Sequence, residues 1–276
     1  LNHYYVIMSF EMPVEFLTSE QEAQYGKYNT DPTAEQLAKY FLLDDHDRVI
    51  IFRHRGDHNC LGYAIQLGTV RFLGTFISDI DEVPVCVINY LLKQLNINDK
   101  DALSRVNNRN LWLHTKEIRD IYNYSDFADQ PGHFRLTRWL YTKAWIADER
   151  PNILFDFATD KCVNQKILLP GVNVIARLIA QVRDRATIRL YNILAKFPDK
   201  NQCQMLERLL KSHSKNKKTE LYTLRQLPTN STASGIIKAI ERLDKLCLLG
   251  ASNWNISGIP IGRVRILSRY ASMARV

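Results

Sequence analysis

A basic triplet that runs into a glycine is the part of the chain whose residue types could do the most chemistry. Residues 53–55 read Arg-His-Arg, Gly56 follows, and Asn59 lies three positions further on. Arginine side chains bind phosphate oxygens, and arginine or asparagine side chains pair with base edges in the major groove of DNA. We interpret the stretch as a turn between two helices with cations beside it, which is what a helix-turn-helix needs. A solvated helical hairpin would show the same local pattern.

The helix after this turn is predicted from apolar spacing. Asp57 can cap it, and apolar positions then recur three and four residues apart. They are Leu61, Ala64, Ile65, Gly68 and Phe72. The pattern predicts an amphipathic helix that packs by this face and presents its other side to solvent.

Other site chemistries find little support in the sequence. His54 and His58 lie four residues apart with Cys60 nearby, but Gly56 separates the histidines and no second ligand cluster exists, which argues against zinc. Phosphate-binding glycine loops, nucleophile elbows and dinucleotide fingerprints are absent. We expect neither a catalytic centre nor a metal or other cofactor in this chain.

The acidic residues of the first half are better explained by local structure than by a metal-binding carboxylate trio. Most of them stand at apparent helix starts or in turns, where a carboxylate caps backbone N–H groups. Examples are Asp44, Asp45, Asp79, Asp81 and Glu82.

The charge is distributed unevenly along the chain. Residues 1–160 hold 16 Lys and Arg against 23 Asp and Glu, whereas residues 161–276 hold 21 against 6, so the net charges are −7 and +15. A half-chain this basic attracts polyanions, of which nucleic acid is the usual cellular example. A solvated lysine-rich surface is the alternative, and we favour nucleic acid.

Composition and cysteine usage indicate a folded cytoplasmic protein. The apolar fraction of 46% is that of a core-forming chain, and the five cysteines are scattered, odd in number and without a Cys-x-x-Cys pair. Apolar runs stay well short of the roughly 20 residues that a membrane helix requires. We therefore expect no membrane partner and a location in the cytoplasm.

Periodicity of three and four predicts an all-α fold of several small helical bundles with helix-turn-helix-like modules. Capping-box spacing at Thr18 and at Thr33 opens two helices, and further helices are predicted over Val85–Leu95, Phe134–Ile146 and Ser234–Leu249. Residues 256–264 are the one stretch that could include a short extended piece.

A proline-glycine pair at positions 170–171, close to the change of charge sign, predicts a domain boundary. We divide the chain into an N-terminal extension at residues 1–13, a helical region at 14–168 and a basic helical region at 169–276.

The sequence of the first region resembles that of Tn3-family transposases. The resemblance begins with Arg55-Gly56-x-x-Asn59-x-Leu61-Gly62-x-Ala64-x-Gln66-Leu67, and it continues through about residues 14–276 with Leu169-Pro170, Leu224-Arg225-x-x-Pro228 and Arg269-Tyr270-Ala271. Cys60, where the family often has a basic residue, and Leu73, in place of a frequent proline, depart from the pattern. The chain is similar to the family's N-terminal DNA-binding region, of the DUF4158 type.

The resemblance implies sequence-specific binding to the terminal inverted repeats of a transposon by DNA-binding modules, two of them in residues 14–168 and a basic one in residues 169–276. It also implies a bacterial protein associated with the nucleoid. In that family the metal-dependent catalytic core lies much nearer the C-terminus, so magnesium is expected only for a full-length catalytic relative, and double-stranded DNA and other transposase subunits are the expected partners. The residues proposed to bind DNA are Arg53, His54, Arg55, Asn59, Arg71, Arg183, Arg185, Arg189, Lys215, Lys217, Lys218, Arg263, Arg265 and Arg269. The rival hypothesis is a protein interaction module with incidental DNA affinity.

Overall fold

The computed structural model describes residues 17–99, 101–211, 219–224 and 232–273. These residues form α-helices joined by turns and short 3-10 segments, and they contain no β-strand, so the predicted all-α class is confirmed. The helices are α1 Ser19–Gln24, α2 Ala34–Tyr40, α3 Asp45–Ile51, α4 Asp57–Leu73, α5 Val85–Leu95, α6 Asn108–Tyr122, α7 Gly132–Ala147, α8 Pro151–Asn164, α9 Val172–Leu194, α10 Lys200–Leu210, α11 Glu220–Leu224, α12 Ala233–Leu248 and α13 Ile261–Met273.

Backbone contacts divide the chain into two compact units. Unit 1 comprises the residues up to Tyr141 together with Glu149–Val182, and unit 2 comprises Thr142–Asp148 with the described residues from Arg183 onward. The division falls inside α7 and α9 rather than in a loop. The predicted limits of the DNA-binding modules, at residues 14–168 and 169–276, stay a prediction.

Helix α4 forms the centre of unit 1. It contacts α2, α3, α5, α6 and α8, and all eleven residues from Cys60 to Val70 are buried. The predicted single apolar face is therefore wrong for this helix, because its neighbours cover it on every side and leave only its ends in contact with solvent. The hydrophobic core of unit 1 gathers around it, with Phe41, Ile51, Val87 and Leu91 fully buried.

Helix starts follow the local sequence signals. Thr18 and Thr33 each form the predicted capping box, and Asp44 accepts a hydrogen bond from the Asp47 amide at 2.7 Å, which confirms an acidic residue as the cap of α3. Helix α4 differs from the prediction. Gly56 is its N-cap residue and Asp57 is its first helical residue, without a side-chain cap.

Two further comparisons with the predicted elements concern their ends. Helix α5 has the predicted bounds and stops at Asn96, which adopts the left-handed conformation that terminates helices. The extended piece suggested within residues 256–264 is wrong, since Ile261 already begins α13. In the part of the chain that the structure describes, no helix is long and apolar enough to cross a membrane.

Candidate nucleic-acid interface

The turn between α3 and α4 presents two arginines to solvent. Gly56 has φ 85°, a left-handed conformation that suits glycine, and a Cβ there would meet the His58 ring at 2.9 Å. Arg53 and Arg55 are exposed, whereas His54 is partly buried. The residues that the sequence singles out are therefore brought together, but they do not share one environment. We call residues 53–59 the arginine loop.

Helix α6 holds the arginine loop through amide hydrogen bonds. The Asn110 Nδ2 donates to Asn59 Oδ1 at 2.8 Å, and the Asn59 Nδ2 donates to the Arg55 carbonyl at 2.7 Å. Both polar atoms of the Asn59 side chain are thus engaged within the protein. Its place in the structure is that of a residue that fixes the loop.

His54 points inward, into a cluster of rings. Its ring centroid lies 4.8 Å from that of Tyr63 on α4 and 5.0 Å from that of His114 on α6. The His54 Nε2 atom also lies 3.4 Å from a carboxylate oxygen of Glu117. Burial and the neighbouring His54 lower the pKa of His114 to about 4, so His114 is neutral near pH 7.

The sequence signature downstream of the loop serves packing rather than recognition. Gln66 is fully buried; its Nε2 donates to the Ile77 carbonyl at 2.9 Å, and its Oε1 accepts from the Ile77 amide at 3.2 Å. A Cβ on Gly68 would lie 2.3 Å from the Phe41 ring, so only glycine lets the two elements approach this closely. The glutamine and the glycine therefore fix how α4 packs.

Arg71 lies in a buried ion pair. Its two terminal nitrogens each donate at 2.8 Å to the carboxylate of Asp47, which is 1% exposed and also accepts from the Tyr122 hydroxyl at 2.7 Å. Burial would raise the pKa of Asp47, but the hydrogen bonds from Arg71 and Tyr122 and the charge of Arg71 outweigh it and lower that pKa. The guanidinium thus joins α4 to α3 and α6.

In unit 2, one carboxylate joins two arginines. Asp148 Oδ1 lies 2.8 Å from the Arg263 NH1 atom and 3.5 Å from the Arg183 NH2 atom. Arg263 is 3% exposed and also donates to the carbonyls of Trp145 and Ala144 at the end of α7. Cations at a helix C-terminus satisfy its free carbonyls and its dipole. We call Asp148, Arg183 and Arg263 the Asp148 hub.

The hub anchors two helices that carry exposed arginine pairs. Arg185 and Arg189 are exposed and one turn apart on α9, and Arg265 and Arg269 are exposed and one turn apart on α13. The Arg189 guanidinium lies 4.4 Å from the Trp145 ring centre. Lys215, Lys217 and Lys218 lie outside the described residues.

Among the residues that the structure describes, few side chains are grouped closely enough to bind a metal ion together. Asp44, His46 and Asp47 are the one group whose ligand atoms lie within 4.8 Å of one another. The Asp47 oxygens in that group already accept hydrogen bonds from Arg71 and Tyr122. Cys60 is buried beside the arginine loop, and its thiol donates to the carbonyls of Ile51 and His54. It therefore helps to hold the turn between α3 and α4.

Comparison with known proteins gives a consistent result along almost the whole chain. The model of a domain of unknown function, DUF4158, matches residues 16–182, which end where unit 1 ends. The transposase for transposon gamma-delta of Escherichia coli (strain K12) is 43% identical over 96% of this chain and 27% of its own length.

More distant relatives match with similar coverage. The transposase for transposon Tn1546 of Enterococcus faecium is 29% identical over 94% of this chain and 26% of its own length. The transposase for transposon Tn21 of Escherichia coli is 26% identical, over 87% and 24%. The chain thus spans about a quarter of the length of the curated relatives it matches.

Proposed function

We propose that this chain, which belongs to the DUF4158 family and is homologous to Tn3-family transposases, binds the terminal inverted-repeat DNA of a transposon. The binding would be sequence-specific, and the chain would act as part of a transposase. The observation that carries the proposal is the pairing of this homology with exposed arginines on anchored elements in both units. Double-stranded DNA would be the partner of the described surface.

Of the residues suggested by the sequence, the exposed ones carry the proposal. Arg53 and Arg55 would contact DNA from the arginine loop, and the pairs on α9 and α13 would bind backbone phosphates, which position a protein on the duplex without reading sequence. Arg71, Arg183 and Arg263 would act through folding, because their guanidinium groups are held by Asp47 and Asp148. His54 and Asn59 would fix the loop.

A competition experiment tests this function. Mobility shifts are measured with the element's inverted-repeat duplex and with a scrambled duplex of the same composition, at several salt concentrations. We expect a clear preference for the inverted repeat and an affinity that falls by orders of magnitude between 50 and 200 mM salt, as neutralising about six to ten phosphates requires. Equal affinity for the two duplexes would contradict sequence-specific binding.

We further propose that the chain alone neither cleaves nor joins DNA. Two-metal strand transfer needs carboxylates that converge on ions about 3.5–4 Å apart. Among the described acidic residues, Asp44 and Asp79 cap helices, and Asp47 and Asp148 pair with arginines. Incubation with inverted-repeat duplex and Mg²⁺ or Mn²⁺ should leave both strands intact while a shifted complex forms. Nicking that disappears when an acidic residue of this chain is replaced would overturn this.

A protein interaction module is the second candidate, and α12 is the observation that favours it. None of the 16 residues of this helix is buried, and five large apolar side chains along it are at least half exposed. They are Ile236, Ile237, Ile240, Leu243 and Leu248. Exposed apolar faces of this kind mark protein contacts. Salt-insensitive affinity for DNA, or affinity unchanged by loss of the exposed arginines, would favour this function.

A further inference from the structure

Helix α6 leaves one long face uncovered beside the arginine loop. Arg109, Trp112, Leu113 and Lys116 recur three and four residues apart, and all four are exposed. The two apolar residues are 65% and 51% exposed, which is unusual for side chains of their size in a domain with a well-formed core. The buried face of the same helix contains Leu111 and Ile118, and the helix packs against α4 within unit 1.

The same helix is locked to the loop by three residues on a neighbouring face. Asn110 donates to Asn59, the His114 ring lies 5.0 Å from the His54 ring, and a Glu117 oxygen lies 3.4 Å from His54 Nε2. The exposed face of α6 and the exposed Arg53 and Arg55 thus belong to one fixed surface. On α6 itself, Arg109 lies one turn before the two apolar residues and Lys116 one turn after them.

We propose that α6, rather than α4, is the helix that enters the major groove, with Trp112 and Leu113 against the thymine methyl groups, Arg109 at base edges and the arginine loop on flanking phosphates. This rests on the proposed function. Helix α4 is covered from Cys60 to Val70, so its sides cannot reach bases, whereas a recognition helix must expose a face. The flanking Arg109 and Lys116 match the negative charge of the groove. Apolar side chains contact the thymine methyl, and arginine pairs with guanine.

Matched variants in unit 1 separate this assignment from a general charge effect. Arg109→Ala and Trp112→Ala alter α6, and Arg135→Ala and Phe134→Ala remove the same types of exposed side chain from α7. Dissociation constants are measured for the inverted repeat and the scrambled duplex. The α6 variants should narrow the ratio of the two dissociation constants about 5- to 150-fold without lowering the melting temperature. The α7 variants should leave that ratio unchanged.

A second measurement changes the DNA instead of the protein. Thymines of the inverted repeat are replaced one at a time by uracil, which removes the C5 methyl group. Affinity of the unaltered protein should fall at one or two positions, and the same replacements should have no effect on the double variant Trp112→Ala, Leu113→Ala, which lacks both apolar side chains. Methyl removal that is felt equally by both proteins, or by neither, would overturn the apolar part of the assignment.

The remaining outcomes distinguish this inference from the function on which it rests. If the unaltered protein does not prefer the inverted repeat, sequence-specific binding itself fails. If it does prefer the repeat but Arg109→Ala and Trp112→Ala leave the ratio intact, or the α7 variants narrow it, α6 is not the reading helix. If Trp112→Ala dissociates an oligomer seen by light scattering, a second copy of the chain covers this face instead, and the proposal is wrong.

Discussion

The two units each keep an arginine inside the fold and leave others in solvent, but they fix the exposed ones by different means. Unit 1 holds the arginine loop with neutral amides and rings from α6, over a core that surrounds α4. The described residues of unit 2 include few buried apolar side chains, and Asp148 ties α9 and α13 together through its carboxylate. A basic sequence therefore does not map directly onto a basic surface, and we expect the exposed arginines of the two units to respond differently to pH and to mutation.

The largest effect should come from breaking the buried pair in unit 1. Arg71→Ala leaves the Asp47 carboxylate buried without its cation, which typically costs about 3–5 kcal/mol. The free energy of unfolding, measured by urea titration at pH 7, should fall by that amount. Arg53→Ala removes an exposed arginine and should change it by less than about 0.5 kcal/mol. Equal effects of the two variants would mean that the Arg71 pair does not stabilise unit 1.

The next effect is a pH dependence that arises from His114 in unit 1. The pKa of His114 is about 4 in the folded protein against about 6.5 in the unfolded chain. The unfolded chain therefore takes up the proton first as pH falls, so the stabilisation is complete above pH 6.5 and is lost toward pH 4. It amounts to up to about 3 kcal/mol.

Urea titrations at pH 7 and pH 4.5 measure this loss. The variant His114→Phe keeps a ring at the site but cannot take up a proton, so its stability should depend less on pH over this range. Asp120→Asn, an exposed change on the same helix, should leave the difference between the two pH values as it is in the unaltered protein. A His114→Phe variant with undiminished pH dependence would assign the effect to other groups.

Removing the carboxylate of the Asp148 hub should destabilise α13 in unit 2 and leave α4 in unit 1 unchanged. Asp148→Asn takes away the charge that faces both Arg183 and Arg263, and a hydrogen bond to a charged group contributes about 1.5–3 kcal/mol. We expect hydrogen exchange to speed up in α13 while the protection of α4 stays unchanged. Glu149→Gln, at the next position, is the control. Faster exchange throughout unit 1 would show that the hub stabilises more than its own unit.

The smallest effect concerns the exposed pair on α9. Replacing Arg185 and Arg189 by alanine should reduce the slope of log affinity against log salt by about 2, because each lost phosphate contact removes nearly one counterion. The ratio between inverted repeat and scrambled duplex should not change, since phosphates carry no sequence. A changed ratio would place these arginines at base edges.

Local signals predicted the elements well, because caps and apolar periods act over a few residues. The capping boxes at Thr18 and Thr33 and the end of α5 at Asn96 are examples. The burial of α4 on every side could not be read from its sequence, because the apolar spacing predicted a single packed face and Gln66 is polar. In the fold, Gln66 finds both of its partners at Ile77 and the glycines admit neighbouring rings.

The sequence predicts only part of the candidate site. The composition located the basic residues but not their partners, and Asp47 lies 24 positions from Arg71 while Asp148 lies 115 from Arg263. Such ion pairs form through tertiary packing, so no local sequence pattern predicts them. The exposed face of α6 had a signal that was missed: Arg109, Trp112, Leu113 and Lys116 repeat at helical spacing, although the periodicity alone does not tell a solvent face from a core face.

The apolar side of α12 sets a practical condition for handling this chain in solution. Contacts between such faces grow with protein concentration, and sulfate or phosphate strengthens them, whereas every added ion weakens attraction to DNA. A higher concentration of sulfate or phosphate therefore favours self-association and weakens DNA binding. Titrations at low protein concentration in chloride keep the two processes apart, and sedimentation in sulfate brings out the first.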